Sequence, residues 1–530
     1  MNQLKQSAIF QAMSQPEFYP HPVSGIDVRE THISKVFLTG QFVYKIKKAF
    51  NYEFLDFTTI EKRRYFCQQE ISLNRRLAAD VYIEVVPITR HKKKLYLKGP
   101  GKPVEFAVKM RQLPDDLSML KLLRCRSLSP DEIKRLARRL ALFYTSALTG
   151  PKIDEYGSID TIGSNCDENF RQLAEGAAPL LDRHQFQIIQ SATRSFLLRQ
   201  NEIFGDRIKA GRIRDCHGDL RCGHIYFEDN IQIIDCIEFN DRFRYQDMAC
   251  DLAYLIMDLE YEGFPTVADS LIEEYVRFSG DTQIYLVLDF FKCYRAMVKS
   301  KVCCFTLQGP ASDGYLSKRA ARDAQKYLAL AYRYAIRFTR PTLWVICGLP
   351  ASGKSTIAAR LSAILHIDVL NSDKIRKQLC GLQPEFRADA AFEEGIYSPG
   401  MTSLTYGKML LSAQEEIKKG RSIIIDATFS REHQRREALQ LSRDMDANIH
   451  FIECTAPLKR LKARLRARDR GSSISDARIH HFKDMLGRFE PMDDIRQELH
   501  VCIHTEKPLE YSMQQILAHD YYLLSGLDNE

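Results

Sequence analysis

The segment Gly348-Leu349-Pro350-Ala351-Ser352-Gly353-Lys354-Ser355 follows the pattern G-x-x-x-x-G-K-[ST]. Chemistry follows from residue type at each place. Gly348 and Gly353 let backbone N–H groups curl around phosphate oxygens, Lys354 reaches the β and γ phosphates, and Ser355, followed by Thr356, starts a helix whose hydroxyl can hold Mg²⁺. The apolar run Leu343-Trp344-Val345-Ile346-Cys347 precedes the loop and helical periodicity follows it, the strand–loop–helix setting that the pattern requires. ATP and Mg²⁺ are the ligands this loop predicts.

Further along, Asn371-Ser372-Asp373-Lys374-Ile375-Arg376 ends a second apolar strand. That puts the Asp373 carboxylate at the C-terminal edge of a sheet, where it can take the proton of a hydroxyl attacking a γ-phosphoryl group. The competing reading of Asp373 is a helix N-cap. Arg376, about one turn on, suits an anionic substrate or the phosphoryl oxygens. A third strand, Ile423-Ile424-Ile425-Asp426, delivers Asp426 to the same edge. Between Leu458 and Gly471 basic residues crowd one helix, with Arg464 and Arg468 four apart on one face and Arg470 beyond. Either this is a solvated basic helix, or it is a lid that brings an arginine onto the transferring phosphoryl group.

A second constellation lies upstream. Cys216-His217-Gly218-Asp219-Leu220-Arg221-Cys222-Gly223-His224 places Asp219 in a tight loop, and Asp235 closes the apolar run Ile233-Ile234. Asp219 can accept a hydroxyl proton, and Asp235 can hold Mg²⁺ on ATP. Lys45, on the expected strand Phe42–Ile46, and Glu70, in an expected helix over 59–79, can fix the α and β phosphates, with Lys47 an alternative on the same strand face. Glu70 can equally be one more exposed helix charge.

The elements that must hold these residues divide the chain in two. Strands are expected at 36–38, 42–46, 83–88 and 104–110, then mostly helix from 116 to 338 with a β-rich patch at 216–239. After the break at Thr339-Arg340-Pro341, strands near 343–347, 367–370, 422–426, 448–454 and 499–503 alternate with helices, which predicts a parallel sheet covered by helices. The boundary therefore falls at 1–340 and 341–530.

The P-loop, N-x-D-x-x-R, I-I-D-x-T and the Arg-rich segment, in that order, resemble the polynucleotide 5′-hydroxyl kinases, with gluconate kinases and zeta-toxin-type kinases as more distant relatives. The resemblance implies Asp373 as base, Arg376 on substrate phosphate, and Asp426 as a further carboxylate, with a lid arginine from Arg464, Arg468 or Arg470. Residues 25–310 resemble the aminoglycoside phosphotransferase branch of the protein-kinase-like fold. This implies Asp219 as base, Asp235 as metal ligand and Asp251 as a brace for the catalytic loop. His224 stands where that family has an Asn that binds a second Mg²⁺, and only Thr39-Gly40 stands where a glycine-rich loop would lie. ATP binding with slow or no transfer is the expectation for this part. Both halves together resemble bacterial proteins described as bifunctional aminoglycoside phosphotransferase-like and ATP-binding. The implied fold is a two-lobed α+β kinase-like domain followed by an α/β P-loop domain. The implied activity is phosphoryl transfer to a hydroxyl, of an RNA or DNA 5′ end or of a small molecule. An ATP-driven switch without transfer and an aminoglycoside-type phosphotransferase are the rival readings.

Composition narrows the classes. The 530 residues are 45% hydrophobic, enough for several cores, and carry a net charge of +8. Residues 341–530 hold 26 basic and 26 acidic residues, so the whole excess, 50 against 42, lies in 1–340. No apolar run approaches the ~20 residues of a bilayer span. The first thirty residues lack the pattern of a secretory signal, and the 14 cysteines include no C-x-x-C pair. The spacing of Cys216, His217, Cys222 and His224 fits no zinc site. A reducing, cytoplasmic setting without membrane attachment is expected.

Overall fold

In the computed structural model of the protein, the described residues are 6–52, 55–177, 181–308, 314–383, 394–469 and 479–526. They group into two compact units. One comprises Met1–Asn169, Arg207–Gly280 and Tyr294–Lys299; the other comprises Phe170–Asp206, Asp281–Cys293 and Ser300–Glu530. Among the described residues no helix is long and apolar enough to cross a membrane.

The first unit opens with a six-stranded antiparallel sheet. Its strands are β1 (Asp27–Glu30), β2 (Ser34–Leu38), β3 (Phe42–Lys47), β4 (Tyr82–His91), β5 (Lys94–Leu97) and β6 (Lys102–Arg111), in the order β1-β2-β3-β6-β4-β5. Alternation along β3 gives the sheet two apolar faces. Tyr44 and Ile46 pack with Phe37, Ile88 and Met13, whereas Val43 packs with Val108, Met110 and with Cys67 and Ile71 of helix α1 (Ile60–Asn74). The inward stripe of α1, Arg63-Cys67-Glu70-Ile71-Asn74, has helical spacing but is polar at three positions. Arg63 is matched by Glu105 at 2.9 Å, and Glu70 serves the site described below. The helix expected to reach residue 79 stops at Asn74, and the chain leaves it through a turn in which the Asn74 carbonyl accepts the amides of Leu77 and Ala78.

The helical part of this unit contains α2 (Pro130–Ser146), started by a Ser129/Glu132 capping box with Pro at its first position, and the almost wholly buried α3 (Met248–Tyr261). Short strands β7 (Ile213–Asp215), β8 (Ile225–Phe227), β9 (Ile231–Ile233) and β10 (Tyr245–Asp247) pair as β8-β9 and β7-β10. These ribbons hold the loop that carries Asp219 and Asp235.

The second unit is built on five parallel strands: β11 (Thr342–Cys347), β12 (Val369–Asn371), β13 (Ile423–Asp426), β14 (Asn448–Thr455) and β15 (His500–His504), in the order β12-β13-β11-β14-β15. Every residue of β11 and β13 is buried, as central strands of a two-faced sheet must be. Helices α4 (Lys354–Leu365), α5 (Ser372–Leu379), α6 (Pro399–Lys418) and α7 (Leu458–Asp469) alternate with the strands.

The contacts do not follow a single cut at residue 340, although β11 begins at Thr342. Helical segments from 170–206, 281–293 and 300–339 group with the parallel sheet. The reason is packing: Phe196 stacks on Phe290 at 5.0 Å and meets Phe338 edge-on at 5.0 Å. Arg199 donates to the Gly420 carbonyl at 2.8 Å, and His366 pairs with Asp206 at 2.9 Å.

Candidate active sites

In the first unit, β3 sends two lysines to one carboxylate. Lys45 Nζ lies 2.9 Å from Glu70 Oε1 and 2.5 Å from Asp235 Oδ1, while Lys47 Nζ lies 2.7 Å from Glu70 Oε2 and also bonds Glu238. Lys47 is fully buried, whereas Lys45 keeps 12% of its side chain accessible. Of the two alternatives, Lys45 is the one that reaches Asp235. Glu70 is a buried, doubly paired carboxylate rather than an exposed helix charge. Glu238, three residues after Asp235, has no role in the sequence reading; an acidic residue in so apolar a stretch was the available signal.

Asp235 sits at φ +66°, a left-handed backbone that Asp adopts more readily than most residues, and its amide donates to the Tyr82 hydroxyl at 3.1 Å. Burial works to raise its carboxyl, but the Lys45 ammonium, by its charge and its hydrogen bond, outweighs that and holds it below the usual range. The Asp219 loop is fixed from beneath. Asp251 accepts the amides of His217 at 3.0 Å and Gly218 at 2.8 Å, and the Tyr144 hydroxyl at 2.9 Å. Gly218 is at φ +88°, where a Cβ would come within 2.8 Å of the Phe243 carbonyl.

Arg221 is the residue that the sequence reading left unassigned. Its Nε and Nη2 donate to the two Asp219 oxygens at 2.9 Å each, and Nη2 also donates to His224 Nε2 at 2.9 Å. His224 in turn donates from Nδ1 to the Asp219 carbonyl at 2.9 Å. Burial would raise the Asp219 carboxyl, yet Arg221 and His224 hold it well below its ordinary range. Burial, reinforced by Arg221, pushes His224 down to about 4, so the imidazole is neutral at pH 7. One ligand atom each from Asp219, His224 and Asp235 lie within 4.8 Å of one another. The carboxylate oxygens suit Mg²⁺, which neutralises phosphate charge when bound. The imidazole does not, both by donor type and because its Nε2 lone pair already accepts from Arg221.

In the second unit the phosphate loop is shaped by its glycines. Gly348 has φ +122°, and a Cβ there would meet the Cys454 carbonyl at 2.4 Å. Lys354 Nζ donates to the Gly348 and Leu349 carbonyls at 2.9 Å each, while Ser355 and Thr356 stand exposed on the first turn of α4. Burial lowers the Lys354 ammonium from its ordinary value, opposed mainly by Asp426 and then by Asp373 among the nearby carboxylates. Asp426 is buried at the end of β13, in register with Asn371 and Ile346, and its Oδ2 accepts from Asn371 Nδ2 at 2.8 Å. Asn371 is the N-cap of α5, accepting from the amides of Asp373 at 3.1 Å and Lys374 at 3.0 Å. Asp373 is therefore not the cap; it stands in the first turn.

Two arginines are held by hydrogen bonds within the unit. Arg376 is buried; its Nη1 donates to the Ile396 carbonyl at 3.2 Å and Thr402 Oγ1 at 3.1 Å, its plane lies 4.9 Å from the Tyr397 ring, and Nε has no hydrogen-bond partner among the described residues. It orders the start of α6 before it meets any substrate. Arg464 reaches back to the phosphate loop, donating from Nη1 to the Ala351 carbonyl and Thr505 Oγ1 at 3.1 Å each. It ties α7 to that loop and is, of the three arginines weighed for the lid, the one whose side chain lies among the described residues. The Arg468 side chain and Arg470 lie outside the described residues.

The profile of the phosphotransferase enzyme family matches residues 122–288, and an AAA domain profile matches residues 343–492. Together with the two folds this defines the protein as a kinase, with an aminoglycoside-phosphotransferase-like part ahead of a P-loop part. Uncharacterized proteins of Mycobacterium tuberculosis and Mycobacterium bovis are 31% identical over 469 residues, 87% of this chain and 90% of theirs. The chain belongs to the same family as these mycobacterial proteins. The shikimate kinase of Corynebacterium glutamicum is 29% identical over 161 residues, covering 26% of this chain and 95% of that enzyme. Among solved structures, a choline/ethanolamine kinase family protein from Mesorhizobium loti is 14% identical with a TM-score of 0.37, covering 62% of this chain and 98% of that one. A gluconokinase from Sinorhizobium meliloti is 15% identical with a TM-score of 0.26, covering 36% and 97%.

Proposed function

We propose that the P-loop unit transfers the γ-phosphoryl group of ATP to a hydroxyl of a small molecule. The observation that carries this reading is the convergence at one sheet edge of Lys354 with Asp426 and Asp373, the latter relieved of capping by Asn371. Lys354 leaves the Gly348 and Leu349 carbonyls for the phosphates, and Ser355 is the residue that would hold Mg²⁺. Asp373 accepts the hydroxyl proton as attack proceeds, and Asp426, oriented by Asn371, faces the metal side. Arg464 steadies the loop, which leaves Arg468 or Arg470 to meet charge that develops on the transferring group. The likeness to shikimate kinase along nearly the whole of that enzyme supports a small-molecule acceptor over a polynucleotide 5′ end.

The Arg221 fork favours a different role for the first unit. Lys45, Glu70 and Asp235 suffice to hold ATP with one Mg²⁺, but Asp219 is held by a guanidinium and His224 offers no oxygen. This unit binds nucleotide and transfers slowly or not at all. Incubation with ATP labelled in the γ position and a panel of hydroxylated small molecules, RNA and DNA 5′ ends and aminoglycosides tests both readings. Labelling of a small molecule alone is expected; labelling of polynucleotide ends alone would overturn the acceptor class, and ATP binding with no labelled product would favour a switch.

A further inference from the structure

A cavity of about 370 Å³ opens in the first unit beside α2, and none of the nucleotide-site carboxylates lines it. Its wall includes Arg76, Arg135, Arg138 and Arg139 against a single acidic residue, Asp229, with Leu142 alongside. Arg135, Arg138, Arg139 and Leu142 fall at i, i+3, i+4 and i+7 of α2, so one helix face supplies three guanidinium groups and an apolar edge.

What these cations bond to decides their meaning. Arg76 donates to the carbonyls of Asp215 and Cys216 at 2.9 Å each, and lies 5.2 Å from the Phe143 ring. Arg139 donates to the Leu77 carbonyl at 2.6 Å, while its Nε is buried with no hydrogen-bond partner among the described residues. Arg135 donates to the Asp229 carbonyl at 2.5 Å, and Arg138 is exposed with no hydrogen bond or ion pair among the described residues. Among the described residues only Arg76 of these four makes an ion pair, with Asp215 at 3.4 Å, which Arg244 also holds at 2.7 Å; the Asp80 carboxylate acts on Arg139 from beyond ion-pair distance. Carbonyls fix the guanidinium planes without cancelling their charge. The result is an oriented surplus of positive charge in a recess, where repulsion among the cations is less screened than in open water. A bound anion relieves it, and arginine forks match phosphate oxygens.

We propose that this cavity is a binding site for a small phosphate ester, separate from both ATP sites. The volume lies in the range of small-molecule sites. Leu142, 61% exposed at the rim, and the Phe143 ring beneath Arg76 give the organic part of such an ester an apolar wall. The site also accounts for part of the basic excess confined to residues 1–340, which neither catalytic reading absorbs.

The test is titration calorimetry on the full chain, with both nucleotide sites filled by Mg²⁺ and a non-hydrolysable ATP analogue. Inorganic pyrophosphate probes charge, and AMP probes charge with an organic group. One further site per chain is expected for each probe, weakened about tenfold or more by Arg138→Glu, the scale of a lost charge-assisted hydrogen bond. Leu142→Asp should weaken AMP more than pyrophosphate. Arg138 is exposed, so its variant tests the site without threatening the fold. Absence of a further site, or equal affinity in Arg138→Glu, overturns the proposal. Binding confined to oligonucleotides, with a steep salt dependence, overturns it in favour of a nucleic-acid surface.

Discussion

Arg221 grips Asp219 by both carboxylate oxygens, at 2.9 Å each, and places the same guanidinium on His224 Nε2. The three side chains form one closed polar group at the position where a kinase-like site needs an open base and oxygen ligands for metal. A general base works best with a pKa near the working pH. A carboxylate held below its ordinary range by a bidentate arginine is moved away from that optimum.

The first prediction concerns which unit does the chemistry. Lys354→Ala should reduce phosphoryl transfer to the background rate, and Asp219→Asn should leave the wild-type rate unchanged. Rates from labelled ATP with the accepted acceptor check both. Robust transfer in Lys354→Ala that Asp219→Asn then eliminates would show that Arg221 releases the base during turnover.

Asp373→Asn removes the proposed proton acceptor of the P-loop unit while keeping its size. Loss of a general base costs ~10² to 10⁴-fold in rate, so kcat should fall by that order with ATP affinity nearly intact. Equilibrium binding of an ATP analogue beside steady-state kinetics separates the two; an unchanged kcat would remove Asp373 from the mechanism.

Lys45 and Lys47 share Glu70 but should fail differently. Lys47→Met leaves Glu70 and Glu238 buried without their shared cation, and breaking a buried pair costs roughly 3–5 kcal/mol. Lys45→Met should instead weaken nucleotide binding to the first unit. Urea denaturation and binding of an ATP analogue, the latter in a Lys354→Ala background, distinguish a stability defect from a binding defect.

The division of labour between those lysines shows where the sequence stops being informative. Apolar strands and breakers located all five parallel strands of the second unit to within two residues at either end, because periodicity and turn chemistry are local. The loops carrying Asp219, Asp235, Lys354 and Asp426 were legible for the same reason. Strand order was not, since any strand can follow β11 in space. Nor was the recruitment of the helices near Phe196 and Phe338 to the P-loop unit, as an apolar helix face does not name its partner. Arg221 and Arg464 were visible as residues but not as contacts, because a long flexible side chain takes its place from tertiary neighbours. Asn371 carried a local signal, an Asx residue before a helix, that fixes which residue caps α5.

The last prediction is a pH dependence of stability. His224 and His519 are both pushed by burial to about 4, from an ordinary 6.5. Between those values the unfolded chain takes up protons that the folded chain refuses, so stability rises with pH across this window and falls as pH drops through it. The penalty begins near pH 6.5, where unfolded histidine starts to protonate, and is complete below about pH 4, where the folded groups protonate too. At pH 5 linkage puts the loss at about 2 kcal/mol for the buried His224, and at less for His519, whose partial exposure lets water screen it. His224→Asn keeps a donor for the Asp219 carbonyl and an acceptor for Arg221 without the titration. Urea midpoints measured from pH 7 to pH 5 should therefore fall less steeply in His224→Asn than in the wild type. Parallel slopes would mean that His224 is protonated in the folded protein at pH 5, with Arg221 displaced from its ring.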